Sequence, residues 1–566
     1  MKRFLLAVLS ITVIILSIPV YSFAESGNIY YIDSFLGDDT NSGTLENPWK
    51  NLSAASKKTF SAGDKILLKC GGTYTGTFQA SGSGTRQKPI VLSSYGDEAT
   101  DGKPVITVSG KNTVILLKNT DYWTIKNLEI TAPDGRGISV SANNGYVSDG
   151  IEIRNCTFHD IYYYETTTYN NSCNAISISA SGYNSKVNNL TMSGLNIYKC
   201  GYGIVMSGVS AEASSQFYES PEKSYHQNTL LENSSFRNIL QDGLIIASSN
   251  NMIVRNCKLI DTATASNYPT AALWMHHTNN ALVEHCEIAG STNYHDGMAI
   301  DFDGWTTNST YQYIYSHDNF KFMSNCLYDN VTRNDGNTVR YCLSVNDNGS
   351  NTIFSSKQIR ESDVSTNYCA NLLWSNKYTY DENAPRERMT NFKFYNNTII
   401  NALSFDFLQL EDAVIANNIF VGTPVNSLNT LSNYKNYLSC NTDKVINGFD
   451  GIMTNNCIYG YADTPSAKNT VYKNPIFAST DISDKNSFML SRYSPLIGSG
   501  IDVEGDNCTE DFFGNPINGK HNIGCYEGSG EKQTILPGAF WGIFDGIAEI
   551  ISKSFGFVNS LILLFK

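Results

Sequence analysis

Histidine and aspartate are concentrated in one short part of the chain. Only eight histidines occur in 566 residues. Five of them lie in one stretch with several aspartates and two tryptophans: Trp274, His276, His277, His285, His295, Asp296, Asp301, Asp303, Trp305, His317 and Asp318. Imidazole and carboxyl groups carry most proton transfer in enzymes. The stretch is therefore a candidate active site, and the alternative is a chance cluster on exposed loops.

Two pairs of these aspartates have a spacing that suits acid–base chemistry. Asp296 and Asp318 are 22 residues apart, one turn of the repeat described below, so we expect them side by side in successive coils. Asp301 and Asp303 alternate along one strand and face the same way. Two adjacent carboxyl groups do not both ionise easily, so one keeps a proton. Glycoside cleavage uses such a pair, with one acid and one carboxylate.

The neighbouring rings suit a sugar substrate. On the strand 273–276, Trp274 and His276 are expected to point outward, with Asp301 stacked above His276. The predicted catalytic residues are Asp296, Asp318, Asp301, Asp303, His317 and His276, the histidines orienting or polarising. The predicted substrate-binding residues are Trp274, Trp305, His277 and His295, because aromatic rings stack on sugar faces. The same carboxylates could instead bind Ca²⁺, which would keep both ionised.

An internal repeat positions these residues. One sequence pattern recurs: alternating apolar residues, then Asn or a substitute at a key position, then a small residue. The key positions are Asn127, Asn155, Gly194, Asn233, Asn256, His285, Tyr341, Asn396 and Asn417. Most intervals are 21 to 39 residues, and the two of 56 and 55 are interpreted as two coils each. Short strands at this period predict a parallel β-solenoid. We expect at least ten coils between about residues 100 and 450, with Asn in left-handed bends.

The cysteines fit this arrangement. Cys156, Cys257, Cys286 and Cys342 each follow a key position, so they are predicted to be buried and stacked. Cys508 and Cys525, in a Gly- and Asn-rich stretch, are the predicted disulfide pair.

The chain divides into five predicted segments. Residues 1–24 have a basic start, an apolar core and a small-x-small site, typical of a signal peptide, with an uncleaved anchor as the alternative. Residues 25–104 form an N-terminal cap, with a short helix around 53–60, and the first coils. Residues 105–430 form the parallel β-helix, and 431–530 the last coils and C-terminal cap.

The last segment, 531–566, differs in kind. Asp545, Glu549 and Lys553 are spaced by four in an apolar stretch and make one polar stripe on a helix. We expect an amphipathic tail that contacts a membrane or a partner protein. The alternative is a helix packed over the open end of the solenoid.

Composition excludes several classes. Aromatic residues are 12% and charged residues 16% of the chain, below the roughly 25% charged residues of ordinary soluble domains, so the chain can bury a large core and is not disordered. The net charge of −13 repels nucleic acid and anionic membrane surfaces. We expect a secreted monomer with a glycan as its partner, and association with the cell surface is the alternative localisation.

The quoted motifs carry a family resemblance. DGMAIDFDGWTTNSTYQYIYSHDN (296–319), GNTVRYCLSVND (336–347), YNNTIIN and NNIFVG resemble extracellular right-handed parallel β-helix proteins of the pectate-lyase-like superfamily, over about residues 28–527. The resemblance implies an all-β, right-handed parallel β-helix that acts on polysaccharides.

The subfamilies match to different degrees. Polygalacturonase-type members carry an Asp-Asp pair and a Gly-His-Gly that this chain lacks. The SHDN region is more similar to fucosidase- and xylanase-like β-helix hydrolases, which have two acidic catalytic residues. Pectate lyases use Ca²⁺ and a basic residue, for which Lys321, Arg333, Lys357 and Arg360 are near enough in sequence.

The sequence therefore leaves three functions open. The first is a glycoside hydrolase that needs no cofactor, and the others are a Ca²⁺-dependent polysaccharide lyase and a non-catalytic glycan-binding surface protein. In GDDTNSG (37–43), Asp38, Asp39 and Asn41 could coordinate Ca²⁺ or form a hydrogen-bonded turn.

Overall fold

The computed structural model describes residues 27–162, 173–208, 225–264, 269–293, 296–327, 334–347, 374–375, 389–402, 404–407, 410–422, 437–440, 449–461 and 466–534. The predicted signal peptide, residues 535–566 of the predicted tail, and His295, Arg333, Lys357 and Arg360 lie outside these ranges. The segment boundaries predicted above stay predictions.

The chain folds into a right-handed parallel β-helix, which confirms the predicted fold class. Three long sheets of parallel strands run the length of the stack, and each coil contributes one strand to each sheet in its regular part. Side chains alternate between the interior and the outside, so every second residue of a strand is buried. The buried apolar residues of all three sheets form one continuous core.

Sheet I has fifteen strands. In stacking order they are β1 (Ile29–Ile32), β2 (Lys65–Lys69), β5 (Ile90–Tyr95), β8 (Trp123–Lys126), β12 (Glu152–Arg154), β16 (Thr191–Ser193), β20 (Leu230–Glu232), β23 (Ile253–Arg255), β26 (Leu282–Glu284), β29 (Thr310–Gln312), β32 (Thr338–Arg340), β36 (Lys393–Tyr395) and β39 (Leu410–Ala416), with β35 (Met389–Thr390) and β42 (Phe449–Thr454) both paired to β39.

Sheet II has thirteen strands. Ten form the main stack: β4 (Phe78–Gln79), β7 (Thr113–Lys118), β10 (Arg136–Asn143), β14 (Asn174–Ser181), β18 (Tyr202–Ser207), β22 (Leu244–Asn250), β25 (Leu273–Asn279), β28 (Met298–Phe302), β31 (Lys321–Leu327) and β34 (Trp374–Ser375). The other three, β11 (Val147–Asp149), β15 (Lys186–Asn188) and β19 (His226–Gln227), join it at β22.

Sheet III also has thirteen strands. They are β3 (Thr73–Thr75), β6 (Val105–Thr107), β9 (Glu129–Thr131), β13 (Thr157–Ile161), β17 (Asn196–Cys200), β21 (Ser235–Ile239), β24 (Lys258–Ile260), β27 (Glu287–Ala289), β30 (Tyr315–His317), β33 (Leu343–Val345), β37 (Thr398–Ala402), β40 (Ile419–Gly422) and β43 (Cys457–Tyr459).

The remaining elements are short. Strands β38 (Ser404–Phe407) and β41 (Tyr437–Cys440) pair separately. Helix α1 (Leu52–Ser56) falls near the predicted helix and buries Leu52 and Ala55 against the first coils. Helix α2 spans Glu98–Asp101, and a 3₁₀ helix spans Lys485–Phe488. Among the described residues, none of the helices has the length and apolarity needed to span a membrane.

The predicted bends are confirmed. All nine key positions have a left-handed backbone, with φ from 49° at Tyr341 to 63° at Gly194. Each lies between a strand of sheet I and the following strand of sheet III. The ten strands of sheet I from β8 to β39 supply the ten coils expected between about residues 100 and 450.

The two long intervals have different explanations. Tyr313, with φ of 54°, is an extra bend between His285 and Tyr341, so that interval holds two coils as predicted. The prediction of two coils between Tyr341 and Asn396 is wrong. Strand β32 pairs directly with β36, Thr338 opposite Lys393, so this interval is one coil with an insertion.

The cysteine predictions have mixed outcomes. Cys156, Cys257, Cys286 and Cys342 are all buried in the core, as expected. The predicted disulfide between Cys508 and Cys525 is wrong, because both thiols are free. The two residues lie in different apolar clusters, Cys508 beside Tyr313 and Tyr341, and Cys525 beside Leu343 and Phe488.

Asparagine replaces these cysteines in the last coils. The Oδ1 atoms of Asn397, Asn418 and Asn456 each accept a backbone N–H from the preceding coil at 2.9 to 3.0 Å. Their amide groups donate to buried carbonyls of sheet I. Because all three side chains are fully buried, this ladder satisfies backbone groups that water does not reach.

We expect Asn418→Ala to destabilise the protein strongly. The substitution leaves the buried Asn397 N–H without its acceptor, which costs about 1–3 kcal/mol, and it removes one donor from the Phe394 carbonyl. The control is Asn251→Gly, at an exposed bend with φ of 59°, where glycine keeps the backbone conformation. Thermal unfolding followed by circular dichroism measures both, and equal melting temperatures would contradict a stabilising role for the ladder.

Candidate active site

Two outward rows of sheet II carry the predicted chemistry. In the first, Ile245, Trp274, Asp301 and Ser324 are opposite one another in successive strands. In the second, Ala247 pairs with His276. Trp274 and His276 face outward as predicted, since the intervening Leu273 and Met275 are fully buried.

The expected stacking of Asp301 on His276 is wrong. The register places Asp301 beside Trp274. Asp303 comes next to His276, because the Asp303 backbone N–H donates to the Met275 carbonyl at 2.8 Å. Asp301 therefore lies on the predicted strand and face, but two residues out of the predicted register.

Four aspartates, Asp242, Asp296, Asp301 and Asp303, form an acid cluster at this face. Asp301 is only 6% exposed, and burial, followed by the negative charge of Asp296, raises its pKa well above the usual range. Asp303 is half-buried, and burial together with the charges of Asp301 and Asp296 raises its pKa as well. Burial and neighbouring negative charge thus favour the protonated forms of Asp301 and Asp303.

Asp242 is the member that the sequence analysis missed. It is 3% exposed, and burial raises its pKa to about 7. Its Oδ1 accepts the Ala271 N–H at 2.8 Å and the Trp274 indole N–H at 2.9 Å, so it fixes the indole ring. Its signal in the sequence was the dipeptide Asp242-Gly243 before an apolar strand, which repeats Asp296-Gly297.

Lysine balances part of this charge. The Lys321 side chain is buried, and its Nζ lies 3.9 Å from Asp296 Oδ1. The Asp296 carboxyl remains 31% exposed. Ser324 hydrogen-bonds Asp301 and opposes the rise in its pKa. The cluster thus contains an accessible carboxyl group, that of Asp296, beside the Lys321 ammonium. It also contains a half-buried carboxyl group, that of Asp303, whose pKa is raised.

Rings border the cluster. Burial lowers the pKa of His276 to about 4 and that of His277 to about 3, so both imidazoles are neutral at neutral pH. His277 Nδ1 lies 2.9 Å from His276 Nδ1, and the Trp305 ring stacks on His277 with centroids 6.2 Å apart. The structure therefore groups Trp274, Trp305 and the two histidines, which were predicted to contact substrate or to orient it.

Asp318 does not lie beside Asp296, so the predicted pairing is wrong. Asp318 is a bend residue with φ of 56° at the end of β30, level with Gly290. Asp296 lies in the segment between Ser291 and Met298, which is longer than its counterpart between Asn319 and Lys321. This extra length moves Asp296 out of phase with the next coil.

His317 and Asp318 belong to a corner of sheet III. His317 Nδ1 is 2.9 Å from Asp318 Oδ2, and Nε2 is 3.5 Å from Glu287 Oε1. His159 repeats the arrangement with Asp160 and Glu129 at 2.8 and 2.9 Å. Burial lowers the pKa of His317, but the bond to Asp318 and the nearby negative charges raise it overall. The recurrence indicates a structural corner.

The GDDTNSG loop is a hydrogen-bonded turn. Asp38 accepts from the Thr40 N–H and hydroxyl, and Asp39 accepts from the Lys50 and Asn51 N–H groups. The Asn41 amide donates to the Pro48 carbonyl. Across the described ranges, no group of three or more His, Cys, Asp or Glu side chains is arranged to hold a metal ion.

Comparison with known proteins supports the fold. No protein-family model matches the chain. Over 159 residues it is 34% identical to lacto-N-biosidase of Bifidobacterium longum subsp. longum, covering 21% of this chain and 10% of that protein. Over 136 residues it is 29% identical to the uncharacterised protein YwoF of Bacillus subtilis, covering 22% of this chain and 28% of that protein. The chain thus spans a small part of these curated relatives.

Two solved structures share the architecture. GH136 lacto-N-biosidase from Eubacterium ramulus aligns with a TM-score of 0.51 and 18% identity, covering 79% of this chain and 68% of that one. XylC in complex with xylose aligns with a TM-score of 0.51 and 10% identity, covering 89% and 99%. The expected resemblance to β-helix proteins of this superfamily is therefore confirmed for the fold.

We expect Asp242→Asn to stabilise the protein more at pH 8 than at pH 4. The Asp242 carboxyl has a pKa of about 7 in the folded protein, so below about pH 4 it does not lower the stability. As the pH rises through about 7, its ionisation in the fold lowers the free energy of unfolding by roughly 4 kcal/mol at most. Asparagine removes this loss, and its Oδ1 can accept the same two N–H groups.

Thermal unfolding at pH 4 and pH 8 measures the difference from the parent protein. Asp261→Asn, at an exposed bend of sheet III, is the matched control and should give the same difference at both pH values. A pH-independent effect of Asp242→Asn would show that Asp242 ionises normally in the fold.

Proposed function

We propose that the protein is a glycoside hydrolase whose reacting carboxyl groups are Asp296 and Asp303. The observation that carries the proposal is the acid cluster, which places the accessible Asp296 carboxyl near Lys321 and the half-buried Asp303, whose pKa is raised, beside aromatic rings on one outer face. Glycoside hydrolysis needs a proton donor and a carboxylate on either side of the bond. Partial sequence similarity to a lacto-N-biosidase agrees with this class.

Asp303 is the general acid. Its pKa is raised well above the usual range, because burial and the charges of Asp301 and Asp296 oppose its ionisation, and this favours the proton-carrying form that a general acid needs. It is half-buried, whereas Asp301 is almost fully enclosed. Asp303 is therefore the protonated carboxyl that a glycosidic oxygen reaches, and Asp301 serves to hold the proton on it.

Asp296 is the carboxylate. Its side chain is accessible, and the buried Lys321 ammonium 3.9 Å away favours a negative partner. It acts as nucleophile or as the base that activates water. Trp274, fixed by Asp242, and Trp305 offer faces on which a sugar ring stacks.

The charge of the site favours an uncharged glycan over a uronate. The one ammonium group among the described residues of the acid cluster, Lys321, lies beside Asp296, so no second cation is placed there to hold an anionic sugar. A lyase requires a uronic acid next to the bond it breaks. We therefore propose hydrolysis of neutral glycans by a secreted protein without a metal cofactor, and glycans that end in lacto-N-biose are the first substrates to test.

Asp296→Asn and Asp303→Asn should each lower kcat by about 10²- to 10⁴-fold, the usual loss for a general acid or nucleophile. Asp318→Asn, an identical change at the sheet III corner, should keep turnover near that of the parent. Reducing-end release from a panel of neutral oligosaccharides measures all three, with melting temperatures matched. Loss of activity in Asp318→Asn with normal Asp296→Asn activity would move the site to sheet III.

The products distinguish hydrolysis from elimination. We expect new reducing ends without an ultraviolet-absorbing unsaturated sugar, and unchanged rates after dialysis against EDTA, because Asp303 acts as the acid and Asp296 as the carboxylate without a metal ion. Proton NMR of the first product gives its anomeric form. Unsaturated products that disappear with EDTA would establish a calcium-dependent lyase, and retention of glycan without cleavage would establish a binding protein.

A further inference from the structure

The outer face of sheet I carries a pocket far from the acid cluster in the fold. It has a volume of about 390 Å³ and lies over β29, β32 and β36, under the segment 504–507. Its lining includes Thr310, Thr338, Arg340, Lys393, Gly505 and Asn507. We infer that this pocket binds a monosaccharide unit that carries a carboxylate.

The floor of the pocket is built from three successive coils. Thr310, Thr338 and Lys393 are opposite one another in one outward row of sheet I. Gln312, Arg340 and Tyr395 form the neighbouring row. Parallel pairing holds these side chains about 4.8 Å apart along each row, so the floor presents polar groups at a spacing similar to that of the hydroxyls on a sugar ring.

The wall of the pocket is preformed by Arg340. Its guanidinium donates to Gln312 Oε1 at 2.9 Å, to Asp506 Oδ1 at 3.0 Å and to Asn507 Oδ1 at 2.9 Å. Lys393 Nζ donates to the Glu504 carbonyl at 2.5 Å. These bonds fix the segment 504–507 over the floor, so ligand binding does not include the free-energy cost of ordering this segment.

The two cationic side chains of the pocket, Arg340 and Lys393, have different partners. Arg340 is paired with Asp506, whereas Lys393 has only a carbonyl partner and no carboxylate within 4.0 Å among the described residues. The hydroxyls of Thr310 and Thr338 likewise make no hydrogen bond within the described part of the chain. The pocket thus offers one ammonium group and two hydroxyls to a ligand.

These groups define the ligand class. The volume falls within the roughly 300–1,000 Å³ of small-molecule sites, but the lining is polar where most such sites are apolar. A hydroxyl-rich ligand suits the threonines, and a carboxylate suits the ammonium of Lys393. A uronic acid or sialic acid unit has both features. The inference does not depend on the proposed hydrolase activity, since it concerns another sheet.

Isothermal titration of the full chain with D-galacturonate, N-acetylneuraminate, D-galactose and acetate tests the inference. We expect binding of at least one acidic sugar, and Lys393→Met should weaken it by roughly 10- to 100-fold. Thr338→Val keeps the strand shape and should weaken the acidic sugar but not acetate. D-Galactose and acetate should each bind at least about tenfold more weakly than the acidic sugar.

Lys65→Met is the matched control, because Lys65 is an exposed lysine on the outer face of the same sheet, in β2. It should leave binding unchanged, and melting temperatures should confirm that all variants are folded. Three results would overturn the inference: no acidic sugar binds, Lys393→Met binds like the parent, or acetate binds as tightly as the sugars.

Discussion

The whole helix depends on a left-handed residue at the same bend of each coil, between sheet I and sheet III. Most L-residues lose about 1–2 kcal/mol in this conformation, and asparagine tolerates it best of the non-glycine residues. Its side chain also bonds the preceding coil, as the Asn417 amide does by donating to Asn396 Oδ1 at 3.0 Å. Because the bend recurs at the same point of each coil, sheets I and III keep their register over the length of the stack.

Aromatic rings replace asparagine at one run of these bends. His285, Tyr313 and Tyr341 occupy three successive bends, with ring centroids 4.7 and 6.1 Å apart. Their outer side is covered by the chain after residue 500: the Tyr313 hydroxyl donates to the Glu510 carbonyl, and the Tyr341 hydroxyl bonds Glu527. The exchange of amides for rings thus creates the surface on which the C-terminal segment docks, and that segment completes the sheet I pocket.

Local and non-local features were predictable to different degrees. The bends follow from local backbone preference and a regular period, so nine of them could be read from the sequence. The pairing of Asp296 with Asp318 failed because it depends on where an insertion falls within a coil, and a residue count does not reveal that. The Cys508–Cys525 pairing failed for a related reason, since docking of the last segment separates the two cysteines into different clusters.

A solenoid is well suited to carry buried carboxyl groups such as those of the acid cluster. Buried carboxyl groups with raised pKa values destabilise a fold at neutral pH. In a solenoid, stability is approximately a sum over coils and their neighbours. Asp242 lies just before β22, Asp301 in β28 and Asp303 just after β28, with regular coils stacked on the N-terminal side through β4. Those coils can stabilise the stack while the strands that carry the aspartates remain under electrostatic strain. The acid cluster is therefore tolerated on one face without weakening the bends that hold the other two sheets.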